Sequence, residues 1–501
     1  MNSQDSRIEG SGSEGATQQP DPPNDPINDP TLDQRPEESP PINAEWQDGP
    51  PSVPQRVVLK FRERIGNYDD DDAGPNLPED LQIEFANLQN DYPSLRLTPL
   101  FGSVDTDVLE DLSKRPEHSD SDYVPPDFLT YYAVELPTVE EVDDPGTVGT
   151  QVAELFANSG LVESAYLELP PGPQPCDTAI HHNAVPDSLG ASLARILPGG
   201  DGAGARLLDL ERVWDTPPHP DLGHVNLASG IPPQADYPPG YNYNLGRRHA
   251  TAVAGIIAAP GGGVGCIGIA PAAEMWLGTT WRMQSNGKWY EDQAAAILAA
   301  IPFLNPGDVL LLEMQVEDKF GNLAPVELNN AAFDAIKRAT EDNIIVIEPA
   351  GNGGMLLTDL VPGEELAGAP NRFQSGEHSG AVLVAATMAP NPGGSHWRQN
   401  DSNFGGRIDC HAWGEKIETL DTNNHAATIR FGLTSGASAM IAGAALVVQG
   451  MRLANQQPPL TPPQMADLLR SGTPMEPPAI FALPPQQIAA MPDLVAIHSN
   501  L

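Results

Sequence analysis

From about Gly199 onward the chain alternates short apolar runs with Gly- and Ala-rich stretches of helical length, and this texture constrains the fold more than any other feature. Val309–Leu312, Ile344–Ile347 and Ala381–Val384 are apolar without a polar alternate and Ala205–Leu208 is interrupted only by Arg206, as expected of strands buried on both faces. Ala250–Ala259, Ala294–Ile301, Asn330–Arg338 and Gly436–Val448 lie between or after them and read as helices. Strands alternating with helices predict an α/β, three-layer domain with a mostly parallel central sheet. In such a sheet the ligand site is expected at the carboxyl ends of the strands.

Three other regions precede this domain, which is taken as 199–501. Residues 1–54 are rich in Pro, Asp, Glu, Ser and Gln, and a segment so poor in large apolar side chains cannot offset its ordering entropy. It is read as a disordered acidic tail. Residues 55–170 alternate strand and helix: Val57–Phe61, a helix carrying Leu81, Phe85 and Leu88 that ends before Pro93, Leu129–Leu136, a helix through Val152 and Phe156, and Val162–Leu169. That order predicts a small α+β, ferredoxin-like domain. Residues 171–198, which follow a Pro-rich start at Pro170–Pro175, are taken as a linker.

The 68 acidic residues outnumber the 26 Lys and Arg, for a formal net charge of −42. Such a surface repels nucleic acid and anionic membranes, so neither is expected as a partner. No run of eighteen apolar residues occurs, so no segment is expected to span a bilayer. Met1–Gln19 lacks a basic start and an apolar stretch and does not read as a secretory signal, which on sequence alone suggests a cytoplasmic protein, with secretion by another route left open. Cys176, Cys266 and Cys410 are too few and too far apart for a disulfide framework or a zinc site.

Four polar residues stand at predicted element ends on one edge of the sheet. Asp209 follows the strand Ala205–Leu208, His249 opens a small-residue helix, Asn352 follows the strand Ile344–Ile347, and Ser435 opens an apolar helix. Taken singly, each has a plainer reading as a cap, a turn residue or a surface side chain. A hydroxyl at the amino end of a buried helix is also where a nucleophile meets free backbone N–H groups.

Together, in the order Asp, His, Asn, Ser, these blocks resemble the subtilisin-like serine peptidases (subtilases). The stretches that carry the resemblance are Leu207–Glu211 with His219–Leu222, His249–Gly255, Ile269–Ala273, Pro349–Gly353, Ser402–Gly405, Leu433–Ser438 and Pro492–Leu494, so it covers roughly 199–501. It implies a serine endopeptidase working through an acyl-enzyme, with Asp209, His249 and Ser435 as the triad and Asn352 as oxyanion donor. It also implies a polypeptide substrate, no cofactor for catalysis, and the structural calcium common in the family, with no ligands assigned here. Leu277 to Arg282 and Leu311 to Gln315 would flank the substrate, making Leu277, Gly278, Glu313, Met314 and Gln315 binding residues, with Glu313 favouring basic side chains. The 55–170 domain resembles the family's inhibitory prodomain, an intramolecular partner occupying the cleft until it is cut away.

Three positions depart from the family pattern. Ala250 stands for the usual Gly after the histidine, Ala439 for the usual Pro beyond the serine, and Leu433 for a Gly two residues before it. Leucine at 433 is strained if the backbone there needs a positive φ. The alternative reading is therefore a catalytically impaired subtilase-fold scaffold that binds peptides or proteins. Gly263–Gly268 matches a dinucleotide fingerprint, but it follows a helix and is read as a loop. His181-His182 and Cys410-His411 have no partner spacing for a metal.

Overall fold

The computed structural model of the chain describes residues 55–66, 76–116, 123–138, 141–142, 144–168, 189–214, 218–228, 244–261, 266–284, 287–362, 372–389, 397–422, 426–474 and 487–501. The tail 1–54, the linker up to 188 with Cys176 and His181-His182, and Gly263–Gly265 lie outside the described residues.

Between 55 and 168 the strands β1 (Arg56–Phe61), β2 (Arg96–Pro99), β3 (Tyr131–Glu135) and β4 (Val162–Leu167) form an antiparallel sheet of order β2-β3-β1-β4, the ferredoxin-like arrangement. The helices are α1 (Glu79–Asp91), α2 (Thr106–Leu112) and α3 (Pro145–Asn158). α1 buries Leu81 and Phe85 on one face. α3 starts where the Asp144 carboxylate accepts the Gly146 N–H and Pro145 supplies a preset φ. Phe156 meets both Phe61 and Phe85 edge to face, at 6.0 and 5.5 Å, which ties helices to sheet.

The larger domain carries β5 (Arg206–Glu211), β6 (Asn226–Leu227), β7 (Glu274–Thr279), β10 (Val309–Leu312), β13 (Ile345–Pro349), β14 (Val382–Thr387), β15 (Cys410–Trp413), β18 (Gly472–Pro474) and β19 (Ala490–Pro492). Their order is β18-β19-β15-β14-β13-β10-β5-β7-β6, parallel except for the β18–β19 pair. Three hairpins lie outside this sheet: β8 (Trp281–Met283) with β9 (Trp289–Glu291), β11 (Gln315–Glu317) with β12 (Leu323–Pro325), and β16 (Ile417–Asp421) with β17 (Ala426–Phe431).

Helices α4 (Asn244–Ala258) and α7 (Leu433–Ala454) cover one face, packing on Leu207, Val309, Leu311, Ile345 and Ile347. Helices α5 (Gln293–Ala300) and α6 (Asn330–Glu341) cover the other, on Leu208, Leu210, Leu310 and Val346. The three layers expected from the alternating runs are present. α7 has the length and apolar composition of a membrane span, yet 83% of its apolar window is buried inside the fold, as a central core helix requires.

The small domain lies against α5 and α6. The Arg56 guanidinium pairs with Glu168 at 2.7 Å and reaches Asp292, whose carboxylate caps α5 by accepting the Ala295 N–H. Tyr131 donates its hydroxyl to Asp334 at 2.5 Å, Ala331 donates its N–H to the Tyr166 oxygen at 3.2 Å, and Arg338 donates to the Leu112 carbonyl at 2.6 Å. Glu135 accepts from the Tyr290 hydroxyl at 2.8 Å and from Lys288. One apolar core runs continuously from the small sheet into the α5–α6 layer.

Candidate active site

Strand alternation decides which carboxylate faces which helix. On β5, Leu208 and Leu210 point to the α5–α6 side, so Leu207, Asp209 and Glu211 point to the α4–α7 side. Asp209 and Glu211 therefore share a face, with Glu211 about 6.6 Å further toward the carboxyl end. α4 begins at Asn244, earlier than expected, so His249 lies on its second turn rather than at its start.

There the imidazole Nδ1 lies 2.8 and 3.0 Å from the two Glu211 oxygens. The assignment of Asp209 as the histidine's partner is corrected by this geometry. Asp209 sits one pleat deeper, paired in register with Leu311 and Leu277. Neither of its oxygens has a hydrogen-bond partner among the described residues. Burial first, then Glu211 and Glu313 nearby, push its carboxyl well above the usual carboxylate range.

His249 Nε2 lies 3.0 Å from Ser435 Oγ. The imidazole also packs edge-on against Phe431, with ring centroids 5.3 Å apart, which fixes its plane. Histidine and serine are both buried, at 2% and 0% exposure. Ser435 is the third residue of α7, where backbone N–H groups have no helical acceptor.

The start of α7 depends on Gly432 and Leu433. A Cβ on Gly432 would stand 2.0 Å from the Gly414 carbonyl oxygen, so only glycine fits. Leu433 has φ of +52° and donates its N–H to that same oxygen at 2.6 Å. The strain anticipated for a leucine here is present, at a cost of about 1–2 kcal/mol, and the helix nevertheless begins at this residue.

Asn352 follows β13 and is held from two sides. Its Oδ1 accepts from the Thr434 N–H at 3.1 Å and the Thr434 hydroxyl at 2.7 Å, while its own N–H donates to Gln315 Oε1 at 3.1 Å. These bonds hold the Asn352 side chain against Thr434, the residue before Ser435.

Leu277, Gly278, Glu313, Met314 and Gln315, the residues expected to flank the substrate, are all buried. Leu277 is a buried residue in the sheet interior, paired with Asp209 on one side and Leu227 on the other. Gly278, also buried, is paired with Leu210. Met314 is a core side chain, and Gln315 is spent on the Asn352 loop and the β11–β12 hairpin. Glu313 is turned inward. Its Oε1 lies 2.7 Å from the Ser438 hydroxyl and its Oε2 3.9 Å from His249 Nε2, and burial pushes its carboxyl up to about 8. Glu211 and Glu313 are the two site residues whose places sequence reasoning missed. Period-two alternation from Asp209 would have put Glu211 on the same face.

Residues 219–478, just over half of the chain, match the subtilase family (Peptidase_S8). The chain belongs to the subtilase family. This subtilase is 27% identical over 250 residues to a thermostable alkaline protease of Halalkalibacterium halodurans, covering 50% of this chain and 57% of the relative. It is 26% identical over 254 residues to subtilisin NAT of Bacillus subtilis subsp. natto, covering 50% and 56%. The similarity thus spans a little more than half the length of these relatives. Among solved structures, it is similar to a cold-adapted subtilisin-like serine proteinase, with a TM-score of 0.36, 18% identity, and coverage of 54% and 82%. It is also similar to the PatG macrocyclase domain, with a TM-score of 0.46, 15% identity, and coverage of 64% and 98%.

Structural calcium was expected from the family. Among the described residues no group of three or more His, Cys, Asp or Glu side chains would hold a metal ion. Within Cys410-His411, the ring Nδ1 faces the Ile488 carbonyl at 3.3 Å and the thiol is buried.

Proposed function

We propose that this subtilase is a serine endopeptidase whose triad is Glu211, His249 and Ser435. The observation that carries the reading is the imidazole seated between a carboxylate at 2.8 Å and a hydroxyl at 3.0 Å. With Glu211 ionised, Nδ1 carries the proton and Nε2 is left as the acceptor, the tautomer needed to deprotonate Ser435. Ser435 Oγ then attacks the scissile carbonyl, and the carbon–nitrogen bond breaks as His249 hands the proton to the leaving amine. Water, activated by the same histidine, cleaves the acyl-enzyme. The Asn352 Nδ2 and the Ser435 N–H bind the tetrahedral oxyanion. No step needs a metal or an organic cofactor.

The 55–168 domain is proposed as an intramolecular inhibitor and folding partner. Its ferredoxin-like sheet, buried Arg56–Asp292 contact and shared core with α5 and α6 support this. In the test, an unstructured protein substrate is incubated with the full chain and with its Ser435→Ala variant. New peptide termini and slow self-release of the 55–168 domain are expected only with the intact serine. Cleavage at equal rates by both proteins would overturn the reading.

A further inference from the structure

Glu313 is a fourth ionisable group at this site, and the proposed triad chemistry does not use it. It leaves the end of β10 on the same face as Leu311, and its N–H donates to the Leu210 carbonyl at 3.1 Å, which fixes its backbone beside Glu211. Its side chain is fully buried. The charged and titratable groups facing it are Asp209 and Glu211 from β5 and His249 from α4, joined by the hydroxyls of Ser435 and Ser438 from α7. From β13, Ile345 and Ile347 lie on this side.

Proton accounting then limits what Glu313 can be. The Ser438 hydroxyl has one hydrogen but three acceptors within reach: Glu313 Oε1 at 2.7 Å, the Thr434 carbonyl at 2.9 Å and the Ser435 carbonyl at 3.0 Å. A protonated Glu313 donates to Ser438 Oγ, and Ser438 donates its own hydrogen to a helix carbonyl, so both hydrogens find an acceptor. The other oxygen, Oε2, faces the reacting pair, 3.9 Å from His249 Nε2 and near Ser435. An ionised Glu313 would add a second negative charge beside Glu211. It would also offer the Ser435 hydroxyl a stronger acceptor than the imidazole, and it would hold any Nε2 proton that should go to the leaving amine.

We propose that Glu313 is a positioning residue of the His249–Ser435 pair, which works only while this carboxyl is neutral. This rests on the peptidase reading above. Burial holds Glu313 protonated up to about pH 8, with the neighbouring carboxylate adding to the effect. The protonated fraction therefore falls about tenfold between pH 7 and pH 9. Acylation follows it down, giving an alkaline limb that belongs to Glu313 and not to the histidine.

The test compares the full chain with Glu313→Gln, a neutral isostere of the acid, and uses two readouts. The first is the second-order rate of fluorophosphonate labelling from pH 6 to pH 10. The wild-type rate is expected to drop about tenfold from pH 7 to pH 9, while the Gln variant, which still labels, stays flat. The second is the 15N signal of His249, which reports the pair whether or not turnover occurs. A step near pH 8 is expected in the wild type and not in Glu313→Gln. An alkaline limb and an NMR step that persist unchanged in the variant overturn the proposal. So does a folded Glu313→Gln protein that labels at no pH while the wild type labels. If the step is present but neither protein labels, the coupling of Glu313 to His249 stands and it is the peptidase reading that fails.

Discussion

Exchanging the two acids of β5 separates their roles. Glu211→Gln removes the charge held 2.8 and 3.0 Å from Nδ1 and replaces it with an amide that can donate as well as accept. An amide donor at Nδ1 moves the imidazole proton to Nε2, the tautomer that cannot accept from Ser435. The charge that stabilises the imidazolium is lost at the same time. Removing the acid partner of a catalytic histidine costs about 10⁴ in turnover, or about 5 kcal/mol in the barrier. Asp209→Asn should behave otherwise. Burial pushes the Asp209 carboxyl toward its neutral form, and it has no protein hydrogen-bond partner among the described residues, so an isosteric amide should change turnover by less than about tenfold. Hydrolysis of a fluorogenic peptide mixture measures both variants, with circular dichroism to confirm that each is folded. If Asp209→Asn lost thousands-fold while Glu211→Gln kept its rate, the assignment drawn from the hydrogen bonds would be wrong.

Further outcomes follow from the same contacts. Gly432→Ala forces a methyl group to within 2.0 Å of the Gly414 oxygen, so the start of α7 must move. Ser435 labelling should fall by at least 100-fold and the melting temperature should drop, whereas an unchanged variant would contradict the close approach. Glu313 titrates near 4.5 when unfolded but near 8 in the fold, so the folded state binds the extra proton between those values. Stability should therefore decline as pH rises through that window and be unaffected below it. The Glu313→Gln variant should gain on the wild type from pH 5 to pH 8, and parallel melting curves would refute this. Arg56→Ala breaks the pair with Asp292 that ties the small domain to the start of α5, so limited proteolysis should release that domain faster from the variant. Equal rates would show that the apolar core alone holds it.

The sheet was legible because Val309–Leu312, Ile345–Ile347 and Val382–Val384 are continuous apolar runs, which a strand buried on both faces requires. α7 was legible for the same reason, although its first turn was not. Its start is set by contact between Gly432 and Gly414, remote in sequence, and by a positive φ at Leu433 that no propensity would place in a leucine. The asparagine and the serine were legible as residues at element ends on one edge, whereas the histidine was read at the start of a helix that begins earlier, at Asn244. The acid was misassigned because β5 runs on to Glu211, and two carboxylates spaced two apart point the same way. Only the position of α4 decides which one meets the ring. The substrate strand expected at 277–282 breaks at Thr280 into β7 and the β8–β9 hairpin, and a four-residue strand such as β2, with Leu97 as its one large aliphatic side chain, is too short to show a pattern.

The central claim, a reactive Ser435 driven by His249 and Glu211, is tested most directly by fluorophosphonate labelling with the adduct located by mass spectrometry. One adduct on Ser435 is predicted, with none on the Ser435→Ala or His249→Ala proteins and at most a trace on Glu211→Gln. A folded wild-type chain that takes up no probe, or that carries it on another residue, would contradict the account.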